Sequence, residues 1–221
     1  WYEVSVQNNA PGDPFSRLAI FAGGSCEAAG IEEACALQNA DHVSTMVELE
    51  AGTSYLMMHY TDGDGFMMQD PEIDIEPLGP GEMCEEAVDL SAASFPHTLY
   101  GTFDQDPDVA PTCDTTPNNA VWFSYTAGIS AYHDVSVVNA TTTDAYSRLA
   151  VFFGSGCDPV GAELECQINN ALDVGVSLFM VDGETYTFVY YTDGEAWTTV
   201  DPTITITIPS IREEQTWALR H

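Results

Sequence analysis

The stretch Tyr-Ser-Arg-Leu-Ala-Val-Phe-Phe-Gly at residues 146–154 has a twin, Phe-Ser-Arg-Leu-Ala-Ile-Phe-Ala-Gly, at residues 15–23. The two copies are separated by a constant offset, 146 − 15 = 131, which holds without a gap from the pair 1/132 to the pair 77/208. Of these 77 aligned pairs, 28 are identical. We therefore interpret the chain as an internal duplication, and a repeat of this kind governs the fold more firmly than any local motif.

Both copies consist of short apolar or alternating segments separated by Gly, Pro, Asn and Asp. Residues 17–21 and 148–152 predict buried strands, and the Thr-Ile-Thr-Ile-Thr-Ile run at 203–208 predicts a half-buried strand. The acidic segment 26–35 is expected to be a looped turn. Since a helical period is almost absent, the pattern predicts an all-β fold, either a sandwich or a barrel.

The Leu-Gly-Pro-Gly sequence at 78–81 is the best candidate for a domain boundary. We predict the latter half of a first β-sandwich repeat at 1–79, a complete second repeat at 80–209, and a tail, linker or donor arm at 210–221. The first copy lacks a counterpart of residues 82–131, so it is expected to expose sheet edges and apolar faces. Either the chain is a piece of a longer array, or another chain supplies the absent strands, which can build a filament if the contact acts head to tail.

The charge balance is strongly acidic. The chain has 35 Asp and Glu residues against four Arg and no Lys, a formal net charge of −31. This composition argues against binding to nucleic acid, which needs basic side chains to replace counterions, and against contact with anionic membranes. It fits a salty or calcium-rich extracellular setting, although a merely soluble acidic surface explains it as well. No signal peptide or membrane-spanning run is present in the sequence.

The six cysteines predict disulfides in an oxidising compartment rather than a zinc site, because no Cys-x-x-Cys pair occurs. Six cysteines allow 15 pairings, and the equal nine-residue spacings within the two copies favour bonds within each spacing. The predicted pairs are Cys26–Cys35, Cys157–Cys166 and Cys84–Cys113.

Calcium is the sharpest chemical hypothesis, because hard cations need several oxygens converging from a loop. Three turns carry alternating carboxylates, and solvated acidic turns are the alternative. The candidate ligands are Asp104, Asp106 and Asp108 in one turn, Asp62 and Asp64 in a second, and Asp193 and Glu195 in its repeat equivalent.

The remaining candidates are structural. Arg17 and Arg148 lie at equivalent positions in mid-strand, and we predict a structural ion pair with a carboxylate, with ligand recognition by the Arg as the alternative. The candidate carboxylates are Asp13 or Asp144, four residues earlier, and the repeated Asp70 or Asp201 further on. The histidines show no metal-ligand spacing and are expected at the surface or rim. Asn139 begins a possible glycosylation triplet. No nucleophile, base and acid can be nominated as a catalytic set, so we predict a protein that is not an enzyme.

A family resemblance extends over residues 82–208 and, in its latter half, over residues 2–77. Four segments show the resemblance: Cys84-Glu-Glu-Ala-Val-Asp-Leu, the Val-Trp-Phe-Ser-Tyr-Thr-Ala run at 121–127, the Arg148 strand with Cys157 and Cys166, and Gly-Glu-Thr-Tyr at 183–186. Together they resemble the pre-peptidase C-terminal-like domains of secreted bacterial peptidases and the related tandem surface adhesin repeats. The resemblance implies jelly-roll β-sandwiches, loosely similar to CUB domains, with an accessory role and no catalysis. The family often has Asp before the Val-Trp pair, where this chain has Ala120.

These observations predict a secreted structural repeat protein, a subunit of a surface fibre or adhesin, with calcium as the suspected cofactor. Its expected partners are copies of itself or neighbouring repeats, meeting head to tail. The alternatives are a carbohydrate-binding module, with surface glycans as ligands, and an accessory domain of a secreted peptidase. Trp122 and Trp197 are candidates for stacking on sugars, although strand aromatics more often belong to the core.

Overall fold

The computed structural model of the chain describes most of its residues. The described residues are 1–10, 15–23, 30–38, 40–61, 63, 67–107, 109, 111–113, 117–141, 146–155, 157, 161–194 and 197–209. The chain divides into two compact units, Trp1–Leu78 and Gly79–His221. This division falls one residue before the predicted boundary, and the predicted tail at 210–221 lies outside the described residues.

Unit 1 consists of six strands in two three-stranded sheets, with orders β4-β1-β6 and β3-β2-β5. Its core is formed by Val4 and Val6 from one sheet, Leu18 and Ile20 from the other, and the valines of β4. The strands are β1 (Tyr2–Gln7), β2 (Ser16–Ala22), β3 (Ile31–Leu37), β4 (His42–Val47), β5 (Tyr55–Thr61) and β6 (Glu72–Pro77).

Unit 2 opens with a single 3₁₀ turn at Cys84–Glu86, followed by strands only among its described residues. A five-stranded sheet, β13-β12-β15-β10-β7, and a four-stranded sheet, β14-β11-β17-β8, enclose the main core, and β9 and β16 form a separate pair. The strands are β7 (Val88–Asp89), β8 (His97–Thr98), β9 (Thr102–Phe103), β10 (Pro117–Thr126), β11 (Ala131–Val138), β12 (Ser147–Phe153), β13 (Glu163–Ile168), β14 (Asp173–Met180), β15 (Thr185–Asp193), β16 (Thr199–Val200) and β17 (Thr203–Thr207).

The all-β prediction is confirmed, with sheets packed face to face through alternating inward side chains. Residues equivalent at the offset of 131 have the same strand partners in the two units. Ser16 pairs with Thr61 as Ser147 pairs with Thr192, and Val4 pairs with Ile75 as Val135 pairs with Ile206. The sequence offset therefore carries over to strand register.

Unusual backbone conformations recur at the same offset. Phe15 and Tyr146 have φ angles of 44° and 39°, and Asp70 and Asp201 have φ angles of 44° and 41°. Left-handed conformations are uncommon for residues other than glycine, and they are costly for an aromatic residue. Their recurrence at equivalent positions indicates that each unit constrains the start of β2 or β12, and the entry to β6 or β17, in the same way.

A buried asparagine in each unit holds the loop before β6 or β17 by hydrogen bonds. The sequence analysis did not predict this role. Asn8 and Asn139 are 0% and 1% exposed. The Asn139 amide donates to the Thr198 carbonyl at 2.9 Å, and its carbonyl accepts from the Val200 N–H at 2.9 Å. Asn8 bonds in the same way to the equivalent residues 67 and 69. The folded chain therefore does not present Asn139 for glycosylation. The sequence did contain a signal for this role, since Asn8 and Asn139 are identical at the offset of 131 although both lie in polar loops.

Two sequence predictions about local structure are wrong. The segment before Cys35 contains strand β3, which pairs with β2 through Ala19 opposite Cys35, where a looped turn was expected. Its acidic, unpatterned sequence suits an edge strand with exposed faces. His133 is fully buried, with Nδ1 lying 3.1 Å from the Ala131 carbonyl oxygen, although the histidines were expected at the surface.

Among the described residues, no helix is long and apolar enough to cross a bilayer.

The predicted disulfide pairing is also wrong in unit 2. The bonds are Cys84–Cys157 and Cys113–Cys166, with Cα–Cα distances of 5.6 and 5.9 Å. Cys157 follows the end of β12, whereas Cys166 lies opposite Ala150 in mid-strand, so the nine-residue spacing spans a hairpin connection instead of closing a small loop. Cys35 has a free thiol, and its predicted partner Cys26 lies outside the described residues. Two disulfides indicate folding in an oxidising compartment.

Candidate functional site

The candidate site is the part of unit 1 that corresponds to the covered part of unit 2. In unit 2, β15 is a central strand, paired with β12 on one side and with β10 on the other. Its equivalent in unit 1, β5, pairs with β2 and forms the edge of its sheet among the described residues. Along residues 55–60, the backbone groups that correspond to the β10-facing groups of β15 face no strand among the described residues, which makes β5 a template for strand addition.

The same contrast holds at the other sheet. Strand β17 pairs with β11 and with β8, whereas its equivalent β6 pairs with β1 and forms an edge in the described part of unit 1. The strands β8 and β10 both come from residues 79–131, which have no counterpart within residues 1–78. The two open edges of unit 1 therefore mark the place that this segment fills in unit 2.

The inner face of unit 1 is uncovered at the corresponding position. Ile73 and Ile75 lie opposite the buried Val6 and Val4, so their side chains share the core-facing side of the sheet, yet they are 56% and 43% exposed. Their equivalents Ile204 and Ile206 are 0% and 6% exposed. The difference comes from cover supplied by residues 79–131. The covering side chains in the unit 2 core include Leu90, Phe103, Val121 and Phe123.

The outer face of the β3-β2-β5 sheet is uncovered as well. Met58 and Tyr60 are 45% and 37% exposed, whereas their equivalents Val189 and Tyr191 are fully buried. In unit 2 a second apolar cluster lies on this outer face. The members that it takes from residues 79–131 are Cys84, Ala120 and Trp122, with Ala87 and Val109 packed against them. Contiguous exposed apolar area of this kind is typical of an interaction surface.

The open edge of β6 carries carboxylates. Glu72, Asp74 and Glu76 alternate along the strand, at the positions where β17 has three threonines. Charges on an exposed edge oppose uncontrolled pairing with other chains. Across residues 1–78 there are 14 acidic side chains and one Arg, so any partner of similar composition docks more readily as salt screens the repulsion.

A polar pair beneath β5 lacks the hydrogen bond that its counterpart makes. In unit 2 the Ser147 and Tyr190 hydroxyls lie 2.8 Å apart. The equivalents are Ser16 and His59, and the Ser16 Oγ and both His59 ring nitrogens are buried with no hydrogen-bond partner among the described residues. Burial lowers the pKa of His59, because the charged imidazolium loses its solvation there.

The predicted ion pair exists in unit 2 with a different carboxylate. The Arg148 Nη2 lies 2.8 Å from Asp193 Oδ2, not from Asp201, whose carboxylate accepts from the Gly101 N–H. The reason is register, since Arg148 lies opposite Tyr191, two residues before Asp193 at the end of β15. The Arg17 guanidinium donates to the Ser16 and Gln38 carbonyls at 3.0 and 2.8 Å. Asp70 is exposed at the equivalent of Asp201.

The structure leaves calcium binding a prediction. Asp193 belongs to the ion pair with Arg148, and the Asp106 carboxylate accepts from the Asn118 amide at 2.8 Å, while Asp104 is exposed nearby. No group of three potential metal ligands converges within the described part of the chain. The other candidates lie outside the described residues: Asp62, Asp64, Asp108 and Glu195.

Comparisons with known proteins add little to these observations. No protein-family model matches the chain, and no curated protein matches it. Among solved structures, it is similar to a Podospora anserina GH26-CBM35 β-(1,4)-mannanase, with a TM-score of 0.28 and 18% identity over 54% of this chain and 27% of that one. It is also similar to the M60 catalytic domain with two CBM51 domains from Clostridium perfringens ZmpB, with a TM-score of 0.24 and 10% identity over 93% and 32% of the two chains.

A third similarity is to the VP2 subviral particle of infectious bursal disease virus, with a TM-score of 0.26 and 10% identity over 94% of this chain and 56% of that one. The chain thus spans less than two thirds of the length of each of these proteins. Similarity at such TM-scores carries no argument about function.

Proposed function

We propose that the chain is a structural extracellular repeat protein, a subunit of a surface fibre or adhesin, whose unit 1 is completed by strands donated from a neighbouring repeat of the same type. The observation that carries this proposal is the contrast between Ile73, 56% exposed, and its equivalent Ile204, fully buried. The two disulfides support an extracellular setting.

The donated segment has a defined chemistry. In unit 2 it supplies β10, antiparallel to β15, with Val121 opposite Tyr190 and Phe123 opposite Phe188. On β5 the equivalent positions are His59 and Met57. A segment with the β10 pattern therefore adds a central strand to the β3-β2-β5 sheet, and its alternate side chains cover both faces.

The test uses the full chain and a peptide of residues 79–131 with both cysteines replaced by serine, so that only non-covalent docking is measured. We expect docking to slow hydrogen exchange in β5 and β6 and to leave β15 and β17 unchanged. A matched peptide with V121D and F123D places two carboxylates on the apolar face and should not dock. Equal protection by both peptides, or no protection by either at 1 M salt, would refute the proposal.

A second function is favoured by one further observation. On the outer face of the β11 and β14 sheet, the Tyr132 and Phe179 rings lie 5.5 Å apart and are 61% and 52% exposed. They line a groove of about 650 Å³ that Ser130, Ser177 and Ile208 complete. Aromatic faces beside hydroxyl groups suit a sugar ring, whereas Trp122 is fully buried and unable to stack on one. Glycan-array signals that disappear in Y132A would support a carbohydrate-binding role, and an array without signal would remove it.

A further inference from the structure

The segment that covers the core of unit 2, residues 79–131, is attached to the rest of that unit by disulfides. Both disulfides join residues 79–131 to the rest of the unit, Cys84 to Cys157 and Cys113 to Cys166. Neither bond joins two cysteines within residues 79–131 or two cysteines beyond residue 131. The segment whose counterpart unit 1 lacks is therefore also the segment that provides one sulfur to each bond.

Among the described residues of unit 1, one cysteine lies at a position equivalent to a bonded cysteine of unit 2. Cys35 corresponds to Cys166, since 35 + 131 = 166, and each lies opposite an alanine of the neighbouring strand, Ala19 or Ala150. Cys35 is an exposed free thiol, whereas Cys166 is bonded. The same sequence position thus carries a disulfide where the cover is present and a thiol where it is absent.

The surroundings of the two sulfurs correspond as well. In unit 2 the Tyr191 hydroxyl lies 3.6 Å from the Cys113 Sγ and 3.7 Å from the Cys166 Sγ, so it lies beside the bond. Its equivalent in unit 1 is Tyr60, on the uncovered face of the same sheet. Cys35, Tyr60 and the open β5 edge therefore reproduce one half of a disulfide site whose other half is visible in unit 2.

We propose that Cys35 is a covalent anchor, which forms a disulfide with a cysteine of the donated segment at the position of Cys113. This inference rests on the proposed strand donation and adds to it that docking is fixed by a bond. The partner is thus a strand-forming segment with the β10 pattern and a cysteine preceding that strand, as Cys113 precedes Pro117.

The bond forms by thiol–disulfide exchange with a small-molecule disulfide such as oxidised glutathione. The Cys35 thiolate attacks one sulfur of that oxidant and releases one glutathione thiolate. The partner thiolate then attacks the Cys35 sulfur of the mixed disulfide and releases the second glutathione. Two protein thiols are oxidised and one oxidant is reduced to two thiols, which take up the two protons.

The test combines the full chain with a ¹⁵N-labelled peptide of residues 79–131 in which Cys84 is serine and Cys113 is kept. The mixture stands in a glutathione redox buffer at high salt, and non-reducing mass spectrometry maps the bonds. We expect a bond between the peptide's Cys113 and Cys35 that forms at least about tenfold faster than with the V121D/F123D peptide, because docking raises the effective concentration of the thiol.

The controls separate this inference from the proposed function. In C35S the bond should be lost while the peptide still protects β5 from hydrogen exchange. Protection of β5 without a bond would overturn the anchor and leave strand donation standing, whereas absence of both would overturn both. Equal rates with the two peptides would show an ordinary exposed thiol. A Cys26–Cys35 bond in the oxidised chain alone would also contradict the anchor.

Discussion

Replacing equivalent isoleucines with alanine in the two units should have very different effects on stability. Ile204 is fully buried, so I204A removes buried carbon and leaves a cavity, which costs about 2–5 kcal/mol. Ile73 is 56% exposed, so I73A gives up less than half of the same transfer free energy and leaves no enclosed cavity. Its expected cost is about 1 kcal/mol or less.

The assay is urea unfolding with two local readouts. Hydrogen exchange of β15 peptides reports on unit 2, and hydrogen exchange of β1 peptides reports on unit 1. The same I73A change should weaken docking of the 79–131 peptide by about tenfold or more, since docking buries this side chain and 1.4 kcal/mol corresponds to a factor of ten. Equal destabilisation of the two units in the free chain would refute the reasoning, because it would mean that Ile73 is already covered.

Four further predictions concern polar groups. H59Y should stabilise unit 1 by about 1 kcal/mol by giving the Ser16 hydroxyl the partner that Ser147 has in unit 2, as measured by urea unfolding. The pKa of His59 is lowered in the folded state, so the unfolded chain binds a proton at this imidazole more readily than the folded chain does. Unit 1 should therefore lose stability as the pH falls below about 6.5. H59Y should abolish that part of the pH dependence. R148M should destabilise unit 2 by about 2–3 kcal/mol in thermal or urea unfolding, less than the loss of a fully buried pair costs, because solvent screens the Asp193 side chain, which is 36% exposed. If the turn at 104–108 binds calcium, calcium should raise the melting temperature and D104N/D106N should abolish the calorimetric binding signal, whereas no signal in the unsubstituted chain would end the hypothesis.

Strand positions within residues 1–77 and 132–208 were predictable because the duplication supplies two copies of each strand there. The arginine strand and the Thr-Ile repeat are strands in the structure, and the offset extends to their partners. Strand β3 was missed because an exposed edge strand has no apolar alternation to detect, and its burial pattern contains no buried residue.

The sequence did not predict which residues distant along the chain are joined by disulfides or by the ion pair of Arg148. The spacing of Cys157 and Cys166 suggested a local loop, but each sulfur bonds to the covering segment, 73 or 53 residues away. Likewise, the choice between Asp193 and Asp201 as partner of Arg148 depends on register at the end of β15. The uncovered surface of unit 1 was predictable in kind from the absent counterpart of 79–131, but the exposed residues became known only from the structure.

The most direct test of the central claim is amide hydrogen exchange along β5 and β15 in the dilute full chain, before and after addition of the cysteine-free 79–131 peptide. Alternate amides of β5 should exchange rapidly in the free chain, those of β15 should be protected throughout, and the peptide should bring β5 close to the protection of β15. Uniform protection of β5 in the free monomer, unchanged by the peptide, would contradict the account.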